Sequence, residues 1–178
     1  MNYNVIEKIH STNSYIKENI DNLADWYVLR AIEQTNGRGR FQKTWLCEKG
    51  KDLAMSILIP CDEKIEQSLE NLTQIIGATV ADLLSCIAPS IASQIKIKLP
   101  NDILVNGRKI CGILTEAITC GDITRIVIGI GLNVNSERAT VATQLLANSL
   151  FDVTGKTFDL DALAKEIAES IFNYFRQD

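Results

Sequence analysis

The chain has 178 residues, 46% hydrophobic and 22% charged, with a net charge of −4 and a pI near 5.1. That length and composition describe an ordinary globular protein with a sizeable core, one domain or one large and one vestigial domain, and the acidic balance argues against a general nucleic-acid-binding surface. Five cysteines without a C-x-x-C pair and a single histidine exclude a zinc site, while the lack of a long apolar run predicts neither a membrane span nor a signal peptide, and so a cytoplasmic protein with reduced thiols.

Residues 3–9 read as a short strand, and Ser11-Thr12-Asn13 supplies cap chemistry for a helix over about 12–20. Trp26–Ile32, rich in β-branched and aromatic residues, predicts a strand. It delivers the chain into Gln34-Thr-Asn-Gly-Arg-Gly-Arg-Phe-Gln-Lys-Thr-Trp45, where Arg38 and Arg40 alternate with Gly37 and Gly39. Across residues 37–51, Arg38, Arg40, Lys43, Lys49 and Lys51 face Glu48 alone, a pattern that suits a small anion. Leu53–Ile59 is a buried strand stopped by Pro60.

Ile65, Leu69, Leu72, Ile76, Val80, Leu83, Leu84 and Ile87 recur at helical spacing and predict one long helix over 64–88, closed by Pro89. Ile95, Ile97 and Leu99 alternate with Lys96 and Lys98, as in a strand with one wet face. Pro100 holds the preceding residue extended and ends that strand, leaving Lys98 beside a turn at Asn101 and Asp102. Asn106-Gly107 is a strong hairpin signal. Residues 109–119 and 123–130 read as a further antiparallel pair turning at Cys120-Gly121-Asp122. A helix over about 137–147 and a last one over about 159–176, capped by Asp159, complete the chain. Strands grouped as hairpins with few intervening helices predict an α+β fold with a mixed, mostly antiparallel sheet flanked by helices.

Some motifs are decoys. Gly155-Lys156-Thr157 ends like a phosphate-binding loop, but Leu150 stands where its first glycine belongs. Gly129-Ile-Gly131 begins like a dinucleotide fingerprint, and Val134 replaces the third glycine. His10 precedes a helix cap and has no evident nucleophile to serve. The remaining signals each have an ordinary reading when taken alone. The Arg/Gly run can be a solvated basic loop, Lys98 an exposed strand lysine before a Pro-Asn-Asp turn, and Gly112 a bulge.

In sequence order they say more. Gln34…Gly37-Arg-Gly-Arg40…Trp45, Lys98-x-Pro-Asn-Asp102, Lys109-x-x-Gly-Ile-Leu-x-Glu116 and Gly129-x-Gly-x-Asn133, with Ser11-Thr12-Asn13 upstream, resemble the catalytic domain of biotin protein ligases. The resemblance covers residues 1 to about 147 and implies a class II aminoacyl-tRNA synthetase-like ligase domain. It implies an enzyme that activates biotin with ATP and Mg2+ as biotinyl-5′-AMP. The biotinyl group would then pass to a lysine of a biotin carboxyl carrier domain.

By the same resemblance, Ser11, Thr12, Asn13, Gln34, Gly37, Arg38, Gly39, Arg40, Lys98 and Gly112 would bind biotin. Arg40, Lys43, Trp45, Asn101, Lys109 and Asn133 would hold ATP and the adenylate, and Lys98, Arg38 and Arg40 would serve catalysis. Two anions brought to about 4 Å repel by about 4 kcal/mol at an effective dielectric near 20, which such cations offset.

Leu99 stands where the family usually has Trp, and residues 83–97 hold no glutamate and no aspartate to deprotonate the acceptor lysine. The expectation is a single domain over 1–178, a monomer or homodimer, without an N-terminal helix-turn-helix, a C-terminal barrel or a DNA partner. Two readings compete: a lipoate or octanoate ligase or transferase of the same fold, and a non-catalytic biotin- or adenylate-binding module.

Overall fold

A computed structural model describes residues 1–138 and 147–176. Its strands are β1 (Asn2–Ile9), β2 (Tyr27–Gln34), β3 (Leu53–Pro60), β4 (Ile95–Lys98), β5 (Asp102–Val105), β6 (Arg108–Cys120) and β7 (Ile123–Leu132). They form one sheet in the order β1-β2-β3-β7-β6-β5-β4. β1 and β2 run parallel, and the other neighbours are antiparallel. The helices are α1 (Thr12–Glu18), α2 (Glu63–Ser68), α3 (Leu72–Ile87), α4 (Leu150–Thr154) and α5 (Leu160–Arg176). The mixed, mostly antiparallel α+β sheet is therefore present. No helix among the described residues is long and apolar enough to cross a membrane.

The two faces of the sheet are unlike because strand residues alternate sides. Leu53, Met55, Ile57 and Ile59 of β3 join Ile126, Ile128, Ile130 and Leu132 of β7 in the larger core, under α3 and α5. Fully burying each such side chain contributes about 1.5–3 kcal/mol. On the other face, α1 covers a smaller cluster of Ile16, Tyr27, Leu29, Leu58 and Val127. Beyond that cluster the same face carries Ala54 and Ser56 on β3, Gly129 and Gly131 on β7, and Gly112 on β6. Those small residues leave the sheet's own surface unfilled, and that is where the site opens.

The predicted long helix is two helices. Around Leu69–Asn71 the backbone switches to i→i+3 bonds, from Leu69 N–H to the Glu66 carbonyl, Asn71 to Ser68 and Leu72 to Leu69. Asn71 adopts φ −108° and ψ 1°, in keeping with the poor fit of a short amide inside a helix. The dry face of β4 is incomplete: Ile95 packs against the core, but Ile97 is 39% exposed and Leu99, just past the strand, is 63% exposed. It is the sheet's outer strand, and although α3 packs against it, Ile97 near its end stays open to solvent.

The helix expected over 137–147 falls mainly on residues 139–146, outside the described residues. α4 went unpredicted. It is a short helix closed by a capping box, Ser149 against Asp152, and by Gly155 at φ 68°. That left-handed cap explains the glycine of the rejected phosphate-loop motif.

Candidate active site

Ser11 caps α1, its side chain accepting the Ser14 N–H, and the cap presents Thr12 and Asn13 to the open face. The Thr12 N–H and hydroxyl both reach Gln34 Oε1 at the end of β2, at 2.8 and 3.1 Å. Ser56 Oγ, fully buried on β3, stands 2.7 Å from Thr12 Oγ1 and 2.5 Å from Asn13 Oδ1. Asn13 Nδ2 donates to Glu116 Oε2 at 2.9 Å. A continuous polar floor thus runs from Gln34 to Glu116, beneath a cavity of about 440 Å³.

The Arg/Gly segment folds over this floor as a narrow turn. The Trp45 N–H donates to the Gly37 carbonyl and the Gly39 N–H to the Lys43 carbonyl, with Arg38 bridging Thr44. At its tip Phe41 is 83% exposed with φ 53°, and the Arg40 guanidinium lies 4.9 Å from its ring. The Trp45 indole comes down on Gly112 and Gly131, which pair across β6 and β7. A Cβ on Gly131 would collide with the indole, and one on Gly112 would lie 3.1 Å from it. Glycine is a packing requirement at Gly131, while at Gly112 a side chain would need Lys109 or the indole to give way by a few tenths of an ångström. Lys109 Nζ sits 5.2 Å from the Trp45 ring and 2.7 Å from Asp102 Oδ1, while the buried Trp45 Nε1 has no acceptor among the described residues.

Lys98, at the end of β4, borders the cavity, and the turn after it is fixed by a reciprocal pair. Asn101 Nδ2 donates to the Ile113 carbonyl at 3.0 Å and the Ile113 N–H to the Asn101 carbonyl at 2.9 Å. Asn133 also borders it, but is 4% exposed and gives its Nδ2 to the Asn148 carbonyl. Arg38, Arg40, Lys43, Lys98, Lys109 and Arg138 line the cavity against one carboxylate, Asp102, among the described residues. Arg40, Lys43 and Lys98 form no ion pair among those residues, so their charge is available to a ligand.

The structure thus gathers Ser11, Thr12, Asn13, Gln34, Arg38, Gly39, Arg40, Lys43, Trp45, Lys98, Asn101, Lys109, Gly112 and Asn133 around one space. Gly37 stands apart. It is buried behind the turn against the Trp45 carbonyl and Gln34 Nε2, bordering a smaller cavity of about 240 Å³.

Three groups escaped the sequence reading. Ser56 reads as one polar residue in a buried strand. Glu116 closes a motif without a stated role. Asp52 is wholly buried and accepts from the Glu48 N–H, the Val134 N–H, the Ser136 hydroxyl and Arg138. Arg138 also donates to the Leu46 carbonyl, tying the end of the Arg/Gly segment to the exit of β7.

Burial raises the Glu116 carboxyl, but the Asn13 and Lys17 hydrogen bonds outweigh it and leave the group below its ordinary value. Burial pushes the Cys47 and Cys111 thiols up to about 12, so neither is a nucleophile. His10 is a surface residue 3.3 Å from Glu18.

Residues 5–133 match the model of the biotin/lipoate A/B protein ligase family. The chain is 33% identical over 150 residues to the bifunctional ligase/repressor BirA of Bacillus spizizenii, covering 83% of this chain and 45% of that one. It is 30% identical over 150 residues to a biotin–[acetyl-CoA-carboxylase] ligase of Mycobacterium tuberculosis, covering 83% of this chain and 53% of that one. The chain thus spans about half the length of these curated relatives.

Among solved structures, it superposes on a biotin protein ligase from Aquifex aeolicus in complex with biotin and ATP. The TM-score is 0.84 at 28% identity, covering 98% of this chain and 70% of that one. With the Leishmania major biotin protein ligase bound to biotinyl-5-AMP the TM-score is 0.79 at 26% identity, covering 98% and 74%. Fold, glycine platform, cationic cavity and these matches agree: the chain belongs to the biotin/lipoate A/B protein ligase family, and both solved structures it superposes on here are biotin protein ligases.

Proposed function

We propose that this chain activates biotin with ATP and transfers the biotinyl group to a lysine of a biotin carboxyl carrier domain. The observation that carries the reading is the convergence of Arg38, Arg40 and Lys98 on one cavity floored by Thr12, Asn13 and Gln34. Hydroxyl and amide groups suit a neutral ring that both donates and accepts. The cations suit a carboxylate meeting an α-phosphate.

In the first step a biotin carboxylate oxygen attacks the α-phosphorus and the bond to pyrophosphate breaks. Lys98 and Arg40 stabilise the charge gathering at phosphorus, and Arg38 orients the carboxylate. Trp45 and Lys109 border the adenylate, and the turn over residues 37–45 keeps water from the mixed anhydride. In the second step the acceptor amine attacks the acyl carbon and AMP leaves.

Magnesium enters this reading only as the counter-ion of ATP. No group of three or more metal-binding side chains occurs among the described residues, and Asp102 is already engaged by Lys109. The cation would be carried by the phosphates, as is common for magnesium.

Pyrophosphate release on mixing the protein with ATP and biotin, followed by labelling of a carrier domain, tests the proposal. Release with lipoate but not biotin would transfer the chain to the other branch of its family. Saturable biotin binding without release would make it a binding module.

A further inference from the structure

Glu116 lies where the polar floor meets the Arg/Gly turn. Its Oε2 accepts from Asn13 at 2.9 Å, and its Oε1 is shared between Lys17 at 2.7 Å and Arg38 at 3.4 Å. The two cations are not equivalent. Lys17 is close and its side chain is 27% exposed, whereas Arg38 is the more distant and is 42% exposed. Of the turn's three cations, Arg38 alone has a carboxylate partner among the described residues. The turn's backbone is closed by its own bonds at Gly37–Trp45 and Gly39–Lys43, so the Arg38 side chain can reorient while the turn stays closed.

We infer that Glu116 is a positioning residue that parks Arg38 until an anionic ligand arrives. The guanidinium then exchanges the Glu116 carboxylate for that of the ligand, while Lys17 and Asn13 stay behind to satisfy Glu116. A half-exposed ion pair contributes little and is readily given up, and a forked pair with a ligand carboxylate in the less hydrated cavity is the stronger contact. Parking has a further effect: the same carboxylate that fixes the Asn13 amide also offsets the repulsion of Arg38 by its neighbours Arg40 and Lys43. Because Glu116 competes with the ligand, removing its charge is expected to tighten binding, the opposite of what loss of a structural residue would do.

This inference rests on biotin as the ligand. The test is calorimetric titration of wild type and Glu116→Gln with biotin and with its uncharged carboxamide. We expect Glu116→Gln to bind biotin about two- to fivefold more tightly, the factor a pair of this exposure commands, with the carboxamide unchanged. In the double variant Arg38→Met/Glu116→Gln the gain should vanish. Should the single variant fold poorly by circular dichroism, Glu116→Asp keeps the charge but draws the carboxylate back toward β6, stretching the already long 3.4 Å contact with Arg38, and is expected to shift biotin in the same direction. Equal shifts for both ligands, or weaker biotin binding, would overturn the exchange. Failure of the wild type to bind biotin at all would instead overturn the proposed function.

Discussion

Lys98 is exposed, borders the cavity and makes no ion pair among the described residues, so the fold does not depend on its charge. Lys98→Ala is expected to lower pyrophosphate release by at least about 100-fold while shifting stability by no more than about 0.5 kcal/mol. Steady-state kinetics beside urea titration would separate the two effects. The thiols make a second test at this scale. Cys86 and Cys120 are exposed, while burial holds Cys47 and Cys111 near 12 and also raises Cys61. A chromogenic disulfide reagent at pH 8 should therefore titrate two thiols in the folded protein at once and the remainder only in denaturant. Rapid reaction of four or five would contradict the packing. The cations were legible in the sequence because the Arg/Gly run suits a small anion and, taken in order with Lys98 and the other motifs, carries a family resemblance that neither has alone. Ser56 and Glu116 were not, because what gives each a role is Asn13, which the chain brings to them from far away.

At the level of elements, the platform of Gly112 and Gly131 explains why these strands can support a site. Gly131→Ala is expected to drive the Trp45 indole off the sheet, raising KM for ATP about tenfold or more and costing about 1–3 kcal/mol of stability through overpacking. Activity measured against varied ATP and varied biotin would check it, since a rise confined to biotin would contradict this placement of the indole. The Asn106-Gly107 hairpin was readable because both residues need positive φ, and they adopt 53° and 74°. The division of the long helix was harder to read. Leu69 continues the apolar period across the break, and periodicity alone cannot report the turn at Asn71 that interrupts it. α4 was missed for a related reason: it is five residues long, too short for a periodic signal, and is defined by its caps.

For the whole molecule, Asp52 is the charge on which distant segments depend. Asp52→Ala would leave two backbone N–H groups, the Ser136 hydroxyl and Arg138 without their acceptor. Each orphaned buried donor costs about 1–3 kcal/mol, although Arg138 retains some access to water and the smaller N–H groups can partly rehydrate. We expect a loss of about 3 kcal/mol in urea-induced unfolding, together with weaker closure of the Arg/Gly turn. A variant within 0.5 kcal/mol of wild type would show that Asp52 is not the tie described here. Sequence pattern identified most strands and the α+β class, but not that β3 lies between β2 and β7. Adjacency of that kind depends on which hydrophobic faces meet, and the aliphatic residues of β3 and β7 are chemically interchangeable.

That seam has a consequence for how the molecule can be observed. Leu53 pairs with Leu132 across it, and Ala54 with Gly131, so the pocket floor is stitched together from the early and late parts of the chain. A chain holding only its local hairpins lacks that floor, and any molecule that binds a ligand there has already joined β3 to β7. Ligand at a hundredfold excess over Kd then adds about 2.7 kcal/mol to the native state. A rise in melting temperature with biotin would therefore count correctly assembled molecules, even in a preparation that turns over no substrate.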